Sequence, residues 1–537
     1  MARLPNIAPK AQFVFCIDDR EESLRRYLEE FNSDIETFGS AGFFGVDAEL
    51  QHGTTASAPF CPAGVSPSLK IYEHPHQREW LTDKADTIRE FIIKLSHRAL
   101  TGWIVSLLGI VALVPLIWRT LSPRWLTRAI RRYANRLLQS STRLDFERDD
   151  EDTSASVSDV MPVGITVEQM ANRVEGLFRS IGSAHSIAEL VFIVGHGSHS
   201  QNNPYRSAYD CGACGGRPGK VNARVFALMA NKPEVRSMRR QRGIVMPDNT
   251  HFIGAFHNTG DDHVDIFDLE LIPDKLRGAF EQKKAALDQA LKINAFERCR
   301  RFANTEVFSP ADALEHVDER THSFFEPRPE YNHATNALCI VGPRELTKGL
   351  FLDRRSFLVS YDPAHDRSGE ILLKILTPVV PVTSGISLEY FFSTVDNETY
   401  GAGTKLPHNI ASLLGVITGH SSDLRTGLPQ QMVEIHEPVR LITIVNSTRD
   451  ILNQIMERNQ GLSHSFRNGW VRLVCYETDR NEMYVLSQSG EWEKWNAENE
   501  ELIRIGSSSD WCRNERGNLP FASIVGSSEM HRIPYLH

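Results

Sequence analysis

The sequence predicts an α/β protein with a mostly parallel sheet. Short runs of β-branched and aromatic residues alternate along the chain with segments whose apolar residues recur at helical spacing. One such run, at 11–17, leads directly into an amphipathic helix, and another, at 190–194, lies between two helices. Strands that follow one another through helices pair in parallel, so this alternation predicts an α/β fold.

The first strand and helix occupy residues 11–31. The strand AQFVFCI gives way to DDREESLRRYLEEF, which begins with acidic residues, as helices commonly do. The apolar positions of this helix fall on one face and are Leu24, Tyr27, Leu28 and Phe31. Because carboxylates favour helix N-termini, we expect Asp19 to cap the helix.

A second set of elements begins at a helix over 166–181, which opens with a capping-box pattern. A buried strand follows at 190–194, and after a glycine-rich loop the helical spacing resumes at 221–231. A further strand is expected at 252–257. The alternation of strand and helix therefore continues through the first half of the chain.

With 537 residues, the chain is long enough for two or three domains. We expect one α/β core in two halves, at 1–98 and 161–345, separated by an insertion. The insertion comprises a hydrophobic and basic segment at 99–140 and an acidic linker at 141–160. Residues 346–537 are expected to form a mixed α+β region rich in strands. Its β-rich pieces are 356–361, 440–445, 470–476 and 482–487.

The composition excludes some classes of protein. The 59 basic and 68 acidic residues give a net charge of −9, which argues against a nucleic-acid partner because phosphates require a cationic surface. The N-terminal residues lack the apolar core of a secretory signal, so we expect a cytoplasmic chain. Eight cysteines are too few for a disulfide scaffold in a chain of this length, and cysteines near acidic residues and histidines are typical of a metal site.

Five residues form the candidate site. Cys16, Asp18 and Arg20 alternate at the end of the first strand, so an extended backbone would turn all three to one side. His196 follows the second strand, and Cys211 comes fifteen residues later. Two thiolates, one imidazole and one carboxylate suit a tetrahedral Zn²⁺ ion. We therefore predict a zinc site whose ligands are Cys16, Asp18, His196 and Cys211.

Asp18 and Arg20 together favour a catalytic site over a purely structural one. A guanidinium can hold a carboxylate through two hydrogen bonds and so draw Asp18 off the metal. The fourth position would then be open to water, and zinc lowers the pKa of water towards about 7. Asp18 and Arg20 are accordingly the predicted catalytic residues.

The same residues carry a resemblance to known families. Cys-x-Asp-x-Arg after a strand, with a later histidine and cysteine, resembles the β-carbonic anhydrases, although those enzymes space the last two residues as His-x-x-Cys. The segments CIDDREESLRRYLEE, ETFGSAGFFGV, GHGS…YDCGACGG and GLPQQM are similar to the DabA subunits of the DAB inorganic-carbon transporters. This second likeness runs through most of the chain. It implies a divergent β-carbonic-anhydrase-like sheet.

The resemblance to DabA also implies a function. It implies a subunit that converts CO2 to bicarbonate in complex with a DabB-like, proton-channel-like membrane protein, on the cytoplasmic face of the inner membrane. Carbonic-anhydrase-like activity is then expected only within that complex. The resemblance also implies that Cys16, Asp18, His196 and Cys211 bind zinc and that Asp18 and Arg20 form the catalytic pair, or dyad, because these residues match the motifs of the family. Family members usually have a long region ahead of the first cysteine, where this chain has fifteen residues.

Other interpretations stay open at this point. The zinc could be structural in a non-catalytic subunit that docks to a membrane partner, or the chain could be a stand-alone β-type carbonic anhydrase. Cys214, three residues after Cys211, could form a redox pair or a closed zinc site. His199 could shuttle protons or could serve only as a hydrogen-bonding group. Further metal ligands could come from a group that is ordinarily a polar loop, namely His257, Asp261, Asp262 and His263.

The apolar run at 99–118 meets the length criterion for a transmembrane helix. A single span would place Cys16 and His196 on opposite sides of the membrane, which a shared zinc ion excludes. Arginines flank the run on both sides, as they do in a segment that enters and leaves on the cytoplasmic side. We therefore predict a hydrophobic hairpin or surface helix, interrupted near Gly109 or Pro115, that docks on the membrane subunit or the lipid surface. A helix buried in the chain's own core is the alternative.

Overall fold

Two mostly parallel sheets organise the chain, which a computed structural model describes over most of its length. The predicted α/β class is therefore confirmed. The described residues are 9–52, 58–62, 65–75, 91, 109–110, 113–114, 116–118, 120–122, 142–148, 161–184, 186–201, 206–242, 246–302, 305–323, 326, 328–403, 427–496 and 501–525.

The first sheet carries the candidate site. Its strands, in spatial order, are Ile35–Ser40, Ala11–Cys16, Leu190–Gly197, His251–Asn258 and His263–Ile266. The first four are parallel and the last is antiparallel. The strands expected at 11–17, 190–194 and 252–257 are all present. Every residue of Ala11–Cys16 and of Leu190–Gly197 is buried, as expected for central strands of a parallel sheet that is covered on both faces.

Helices cover both faces of this sheet. The helix Val167–Ser180 begins as expected, because Thr166 and Gln169 form a reciprocal capping box. A short 3-10 turn, Asp19–Glu21, precedes the first α-helix. The other helices of this part of the chain are Glu22–Phe31, Arg206–Tyr209, Lys220–Asn231, Pro233–Gln241, Asp274–Cys299 and Pro310–His322. Two separate apolar cores, one on each face of the sheet, hold these layers together.

The second sheet gathers all four β-rich pieces that the sequence places in the C-terminal region. Its strands, in spatial order, are Ser356–Ser360, Leu338–Gly342, Ile442–Asn446, Arg472–Glu477, Glu482–Leu486 and Trp492–Lys494. The first four are parallel, a pairing that the sequence pattern did not indicate. Its helices include Glu370–Val395, Arg449–Arg458 and Gln460–Arg467. The edge strand Ser356–Ser360 approaches the first sheet, where Leu358 donates a backbone hydrogen bond to Ile17.

Two smaller sheets complete the architecture. Their strands are Ala48–His52, Ala58–Phe60, Leu69–Pro75 and Thr142–Asp145 in one, and Leu350–Phe351, Ile503–Ile505 and Ala522–Ile524 in the other. The start of the expected acidic linker is thus ordered. Phe146 is buried and Glu147 pairs with Ile165 through a β-bridge. Residues 149–160 of that linker lie outside the described residues.

Two apolar segments bear on membrane association. In the described part of the chain, Glu370–Val395 alone is long and apolar enough to cross a membrane; its most apolar window has a mean hydropathy of 1.7 and is 39% buried. Length and composition do not separate a span from a core helix. Most of the run at 99–118 lies outside the described residues. The positions that are described there, Gly109 among them, are helical and exposed.

Candidate metal centre

The ends of two adjacent parallel strands bring the first two candidate ligands together. Cys16 is the last residue of Ala11–Cys16, and His196 is the penultimate residue of Leu190–Gly197. The register pairs Phe15 with Val194, so the chain positions that follow lie side by side. Cys211 arrives from the loop beyond the second strand and caps the 3-10 turn Gly212–Cys214.

The three ligand atoms form one buried cluster. The candidate donor atoms of Cys16, His196 and Cys211 all lie within 4.8 Å of one another, and none of the three residues is more than 2% exposed. The two Sγ atoms are 3.8 Å apart. This distance is far longer than the roughly 2.05 Å of a disulfide. It matches the roughly 3.8 Å that separates two thiolates at about 2.3 Å from a tetrahedral ion, so the pair fits a metal.

Gly42 shows how closely the backbone approaches this cluster. A Cβ atom at this position would lie 2.8 Å from Cys211 Sγ and 2.9 Å from Cys16 Sγ. Any other residue would therefore push on both sulfurs at once. The glycine belongs to the segment GSAGFFG, to which sequence reasoning assigned no chemistry.

His196 is surrounded by charged side chains. Its Nε2 lies 3.0 Å from Asp18 Oδ2 and 3.2 Å from Arg20 Nη2. Its Nδ1 is buried and has no hydrogen-bond partner in the described part of the chain. Buried ring nitrogens are nearly always satisfied, so this atom is consistent with a further ligand at the site.

Burial dominates the protonation of the two thiols. It raises the pKa of Cys16 and of Cys211 well above the usual value for cysteine. A metal binds the thiolate form, so a cation that binds here must displace the thiol protons.

Asp18 is held by Arg20 rather than by the cysteines. Arg20 Nε lies 2.8 Å from Asp18 Oδ1, and Nη2 lies 3.0 Å from Oδ2, which is the bidentate geometry expected from the sequence. Burial alone would raise the pKa of the Asp18 carboxyl, but Arg20, His333 and His196 hold it well below its usual range. Asp18 is therefore an anion whose oxygens are already engaged. It lies outside the three-ligand cluster.

The expected role of Asp19 is wrong. Asp18, not Asp19, caps the 3-10 turn, because its Oδ1 accepts a hydrogen bond from the backbone N–H of Arg20 at 3.0 Å. Asp19 instead lies 2.5 Å from His333 Nδ1. Asp19 therefore contacts His333 instead of capping the helix.

Arg20 is fixed by more than its dyad partner. Its Nη1 donates to the carbonyl of Tyr209 at 2.6 Å and lies 3.3 Å from both Thr259 Oγ1 and Glu330 Oε1. Glu330 in turn accepts a hydrogen bond from Ser198 Oγ at 2.8 Å. A cavity of about 10 Å³ adjoins Arg20 on this side, which is room for roughly one water molecule.

Sequence reasoning missed Glu330 and His333. Glu330 lies 310 positions from Arg20, its ion-pair partner, and His333 lies 314 positions from Asp19. No local spacing links either residue to the motif at Cys16. Asp18, Asp19 and His333 form a second close group of metal-binding residue types. Only the tertiary fold brings them together.

The remaining candidates take other places. Cys214 is buried, but its sulfur falls outside the three-ligand cluster. His199 lies on the surface, with its ring 5.9 Å from that of Phe256. His257 is neither a ligand of this cluster nor part of a simple polar loop. It is buried between Glu21, 2.9 Å from its Nδ1, and Asp262, 3.2 Å from its Nε2.

Comparison with known proteins assigns the family. The family model described as "Probable inorganic carbon transporter subunit DabA" matches residues 2–471. A relative from Sorangium cellulosum with that description is 45% identical over 536 residues, which covers 98% of this chain and 52% of the relative. A relative from Rhodopirellula baltica is 42% identical over 533 residues, which covers 97% of this chain and 49% of the relative. A relative from Methylococcus capsulatus is 41% identical over 517 residues, which covers 94% of this chain and 48% of the relative.

The chain thus spans about half the length of the curated relatives it matches. No solved structure matches the chain. The family model covers most of the sequence, including every residue of the candidate site. The chain belongs to the DabA family.

Proposed function

We propose that this chain is the zinc-binding catalytic part of an inorganic carbon transporter subunit, and that it hydrates CO2 to bicarbonate. The observation that carries the proposal is the cluster of Cys16, His196 and Cys211 beside the Asp18–Arg20 ion pair. The relatives are described as transporter subunits, which supports a role in inorganic carbon transport. The order of residues along the strand is the one seen in the β-carbonic-anhydrase-like motif.

Cys16, His196 and Cys211 would hold the zinc ion, and Arg20 keeps Asp18 from closing the fourth position. When bound, zinc supplies a Lewis acid that makes water a nucleophile near neutral pH. The ionised Asp18 can accept a hydrogen bond from the reacting water and so orient it. Arg20 places a positive charge where negative charge develops as CO2 becomes bicarbonate. Burial of the whole site strengthens both interactions.

Membrane association is the second part of the proposal. Ile110, Val114, Ile117 and Leu121 are 69%, 66%, 48% and 79% exposed. Apolar residues exposed in one segment mark a surface that binds a membrane or a protein partner. We propose that this segment docks the chain on the cytoplasmic face of the inner membrane, against a DabB-like, proton-channel-like subunit.

One observation favours a rival function. The site is almost completely buried, and the cavity beside Arg20 has room for roughly one water molecule. A closed site of this kind also suits a structural zinc ion in a subunit that only docks to its partner. In that case the dyad would only stabilise the fold.

Co-expression with a membrane partner separates the two functions. Cells that lack other means of CO2 uptake would carry the partner with the wild-type chain, with Cys16→Ala, or with Arg20→Lys, and growth would be scored in air. The catalytic proposal expects rescue by the wild type only. Growth supported by a folded, zinc-loaded Arg20→Lys protein at the wild-type rate would favour the structural role.

A further inference from the structure

A second pocket lies away from the metal centre, at the end of the long helix Asp274–Cys299. It has a volume of about 220 Å³. This is far more than the roughly 10–15 Å³ that one water molecule needs. The residues that line it come from the helix end, from 305–307 and from 512–516, and they are Phe296, Cys299, Arg300, Thr305, Val307, Cys512, Arg513, Asn514 and Arg516.

The charge of this pocket is positive. Three of its lining residues are arginines, and none of the described lining residues is acidic. Arg300 shares the carboxylate of Asp353 with Arg301, and its Nη1 donates to the carbonyl oxygens of Glu515 and Gly517. Arg513 lies 3.4 Å from Asp510, but both side chains are largely exposed, so water screens this pair.

Two of the arginines have donors to spare. Arg300 is only 4% exposed at its side chain, and its Nε is buried with no hydrogen-bond partner in the described part of the chain. Arg516 donates to the carbonyl oxygen of Phe302 at 3.3 Å and has no carboxylate within ion-pair distance among the described residues. The buried Nε donor of Arg300 is costly without a partner, and an acceptor in the pocket would satisfy it. Arg516 is exposed, so an anion would replace water at its remaining donors.

Other residues that line the pocket are apolar. Phe296 and Val307 contribute side chains that are partly buried, and the thiols of Cys299 and Cys512 are buried beside them. A small inorganic ion would contact the arginines and leave these apolar residues in contact with water. A ligand that has both an anionic group and an apolar portion would contact both sets of residues.

We infer that this pocket binds a small organic anion that carries a carboxylate or phosphate group. The guanidinium fork matches the oxygens of both groups, so the three arginines that line the pocket, Arg300, Arg513 and Arg516, would hold the anionic end. Phe296 and Val307 would contact the apolar portion. The inference does not depend on the zinc site or on CO2 hydration.

Isothermal titration calorimetry at constant ionic strength tests the site, with phenyl phosphate as the organic probe and inorganic phosphate as its match. We expect saturable binding of phenyl phosphate, at least tenfold tighter than that of inorganic phosphate. The double variant Arg513→Ala/Arg516→Ala should bind phenyl phosphate about tenfold or more weakly than the wild type does, because charge-assisted hydrogen bonds are lost. Arg480→Ala, an exposed arginine paired with Glu477, is the control and should bind as the wild type does.

A second variant keeps the charge and fills the space. Val307→Trp should abolish phenyl phosphate binding while the unfolding temperature and the zinc content stay at wild-type values. No saturable binding of either probe to the wild type would overturn the inference, as would wild-type affinity in both pocket variants. Equal affinity for the two probes would overturn its organic part and leave a site for inorganic anions.

Discussion

The sulfur atoms of Cys16 and Cys211 lie 3.8 Å apart although 195 positions separate them in the sequence. One thiol stands at the end of a central strand, and the other is carried by the loop that follows the neighbouring strand. Neither residue can therefore hold a tetrahedral ion alone. A metal bound here links two distant parts of the chain, so its loss should destabilise the packing of both parts.

The first prediction is that Cys16→Ala and His196→Ala each remove most of the bound zinc. Each variant leaves two of the three clustered ligands, which is too few to hold the ion tightly. Elemental analysis of the purified proteins measures the metal. Cys475→Ala is the matched control, because this cysteine is also buried, in the second sheet, but is not one of the three clustered ligands. Full zinc occupancy in both cluster variants would contradict the ligand assignment.

Gly42→Ala is expected to reduce zinc binding although it replaces none of the ligand residues. The added Cβ would meet both ligand sulfurs at 2.8 and 2.9 Å, and the thiols could not keep their separation. Gly278→Ala serves as the control because nothing lies within 4 Å of its added Cβ. Zinc content and the unfolding temperature are measured for both variants. A Gly42→Ala protein with wild-type zinc content would show that the metal is not held between these sulfurs.

Local sequence patterns predicted three of the five strands of the first sheet, because these strands are signalled within short windows. The apolar runs at 11–17 and 190–194 are typical of buried strands, and the capping box at Thr166 marked a helix start. The parallel pairing of the second sheet could not be predicted in the same way. Its strands Leu338–Gly342 and Ile442–Asn446 are neighbours only through a connection of about a hundred residues, which carries no local signal.

The residues of the candidate site also differ in whether the sequence could predict them. Cys16, Asp18 and Arg20 could be grouped from the sequence because strand geometry fixes alternate residues on one side. Glu330 and His333 could not, because they reach Arg20 and Asp19 from a part of the chain with no recognisable motif. The position of Asp19 has the same origin, because its partner His333 comes from a distant part of the chain.

Arg20→Lys should keep the zinc and lose CO2 hydration. Lysine keeps the positive charge but cannot form two parallel hydrogen bonds to Asp18, so the carboxylate is freed to close the fourth position. Replacing arginine by alanine instead would leave Asp18 and Glu330 buried without their cation, which costs about 3–5 kcal/mol and confuses the result. The measurements are zinc content and growth in air with the membrane partner. Glu330→Gln, which spares the dyad, should keep more function than Arg20→Lys.

A pH prediction follows from His257. Burial lowers the pKa of this imidazole, but Glu21 and Asp262 raise it to about 10. In the unfolded chain its pKa is about 6.5. Its contribution to stability is therefore fully present below about pH 6.5 and is lost as the pH rises through about 10. The free energy of unfolding of the wild type, minus that of His257→Gln, should fall by up to about 1.4 kcal/mol per pH unit over this range.

Urea unfolding at several pH values between 6.5 and 9.5 measures this difference. His365→Gln is the control, because His365 pairs with Asp362 while half exposed to solvent. A His257 difference that is no steeper than the His365 difference would show that the imidazole is not held as a cation between the two carboxylates.

The last prediction concerns the apolar segment at 109–121. The chain passes through it between Cys16 and Cys211, and these residues lie together, so a single crossing of the membrane is excluded. Ile110, Val114, Ile117 and Leu121 are spaced by four, three and four residues and therefore share one helical face. We expect replacement of all four by glutamate to move the protein from the membrane to the soluble fraction.

The zinc content of this fourfold variant should stay at the wild-type value, because exposed apolar residues contribute little to the fold. Their contact with lipid or with a membrane partner is what the glutamates remove, and each buried apolar side chain is worth about 1.5–3 kcal/mol. Phe308→Glu is the control, since Phe308 is 84% exposed but lies outside the segment. Fractionation measures the association with the membrane, and metal analysis measures the zinc content. If the fourfold variant stays on the membrane with its partner, the segment does not dock the chain, whereas loss of zinc with unfolding would assign it to the chain's own core.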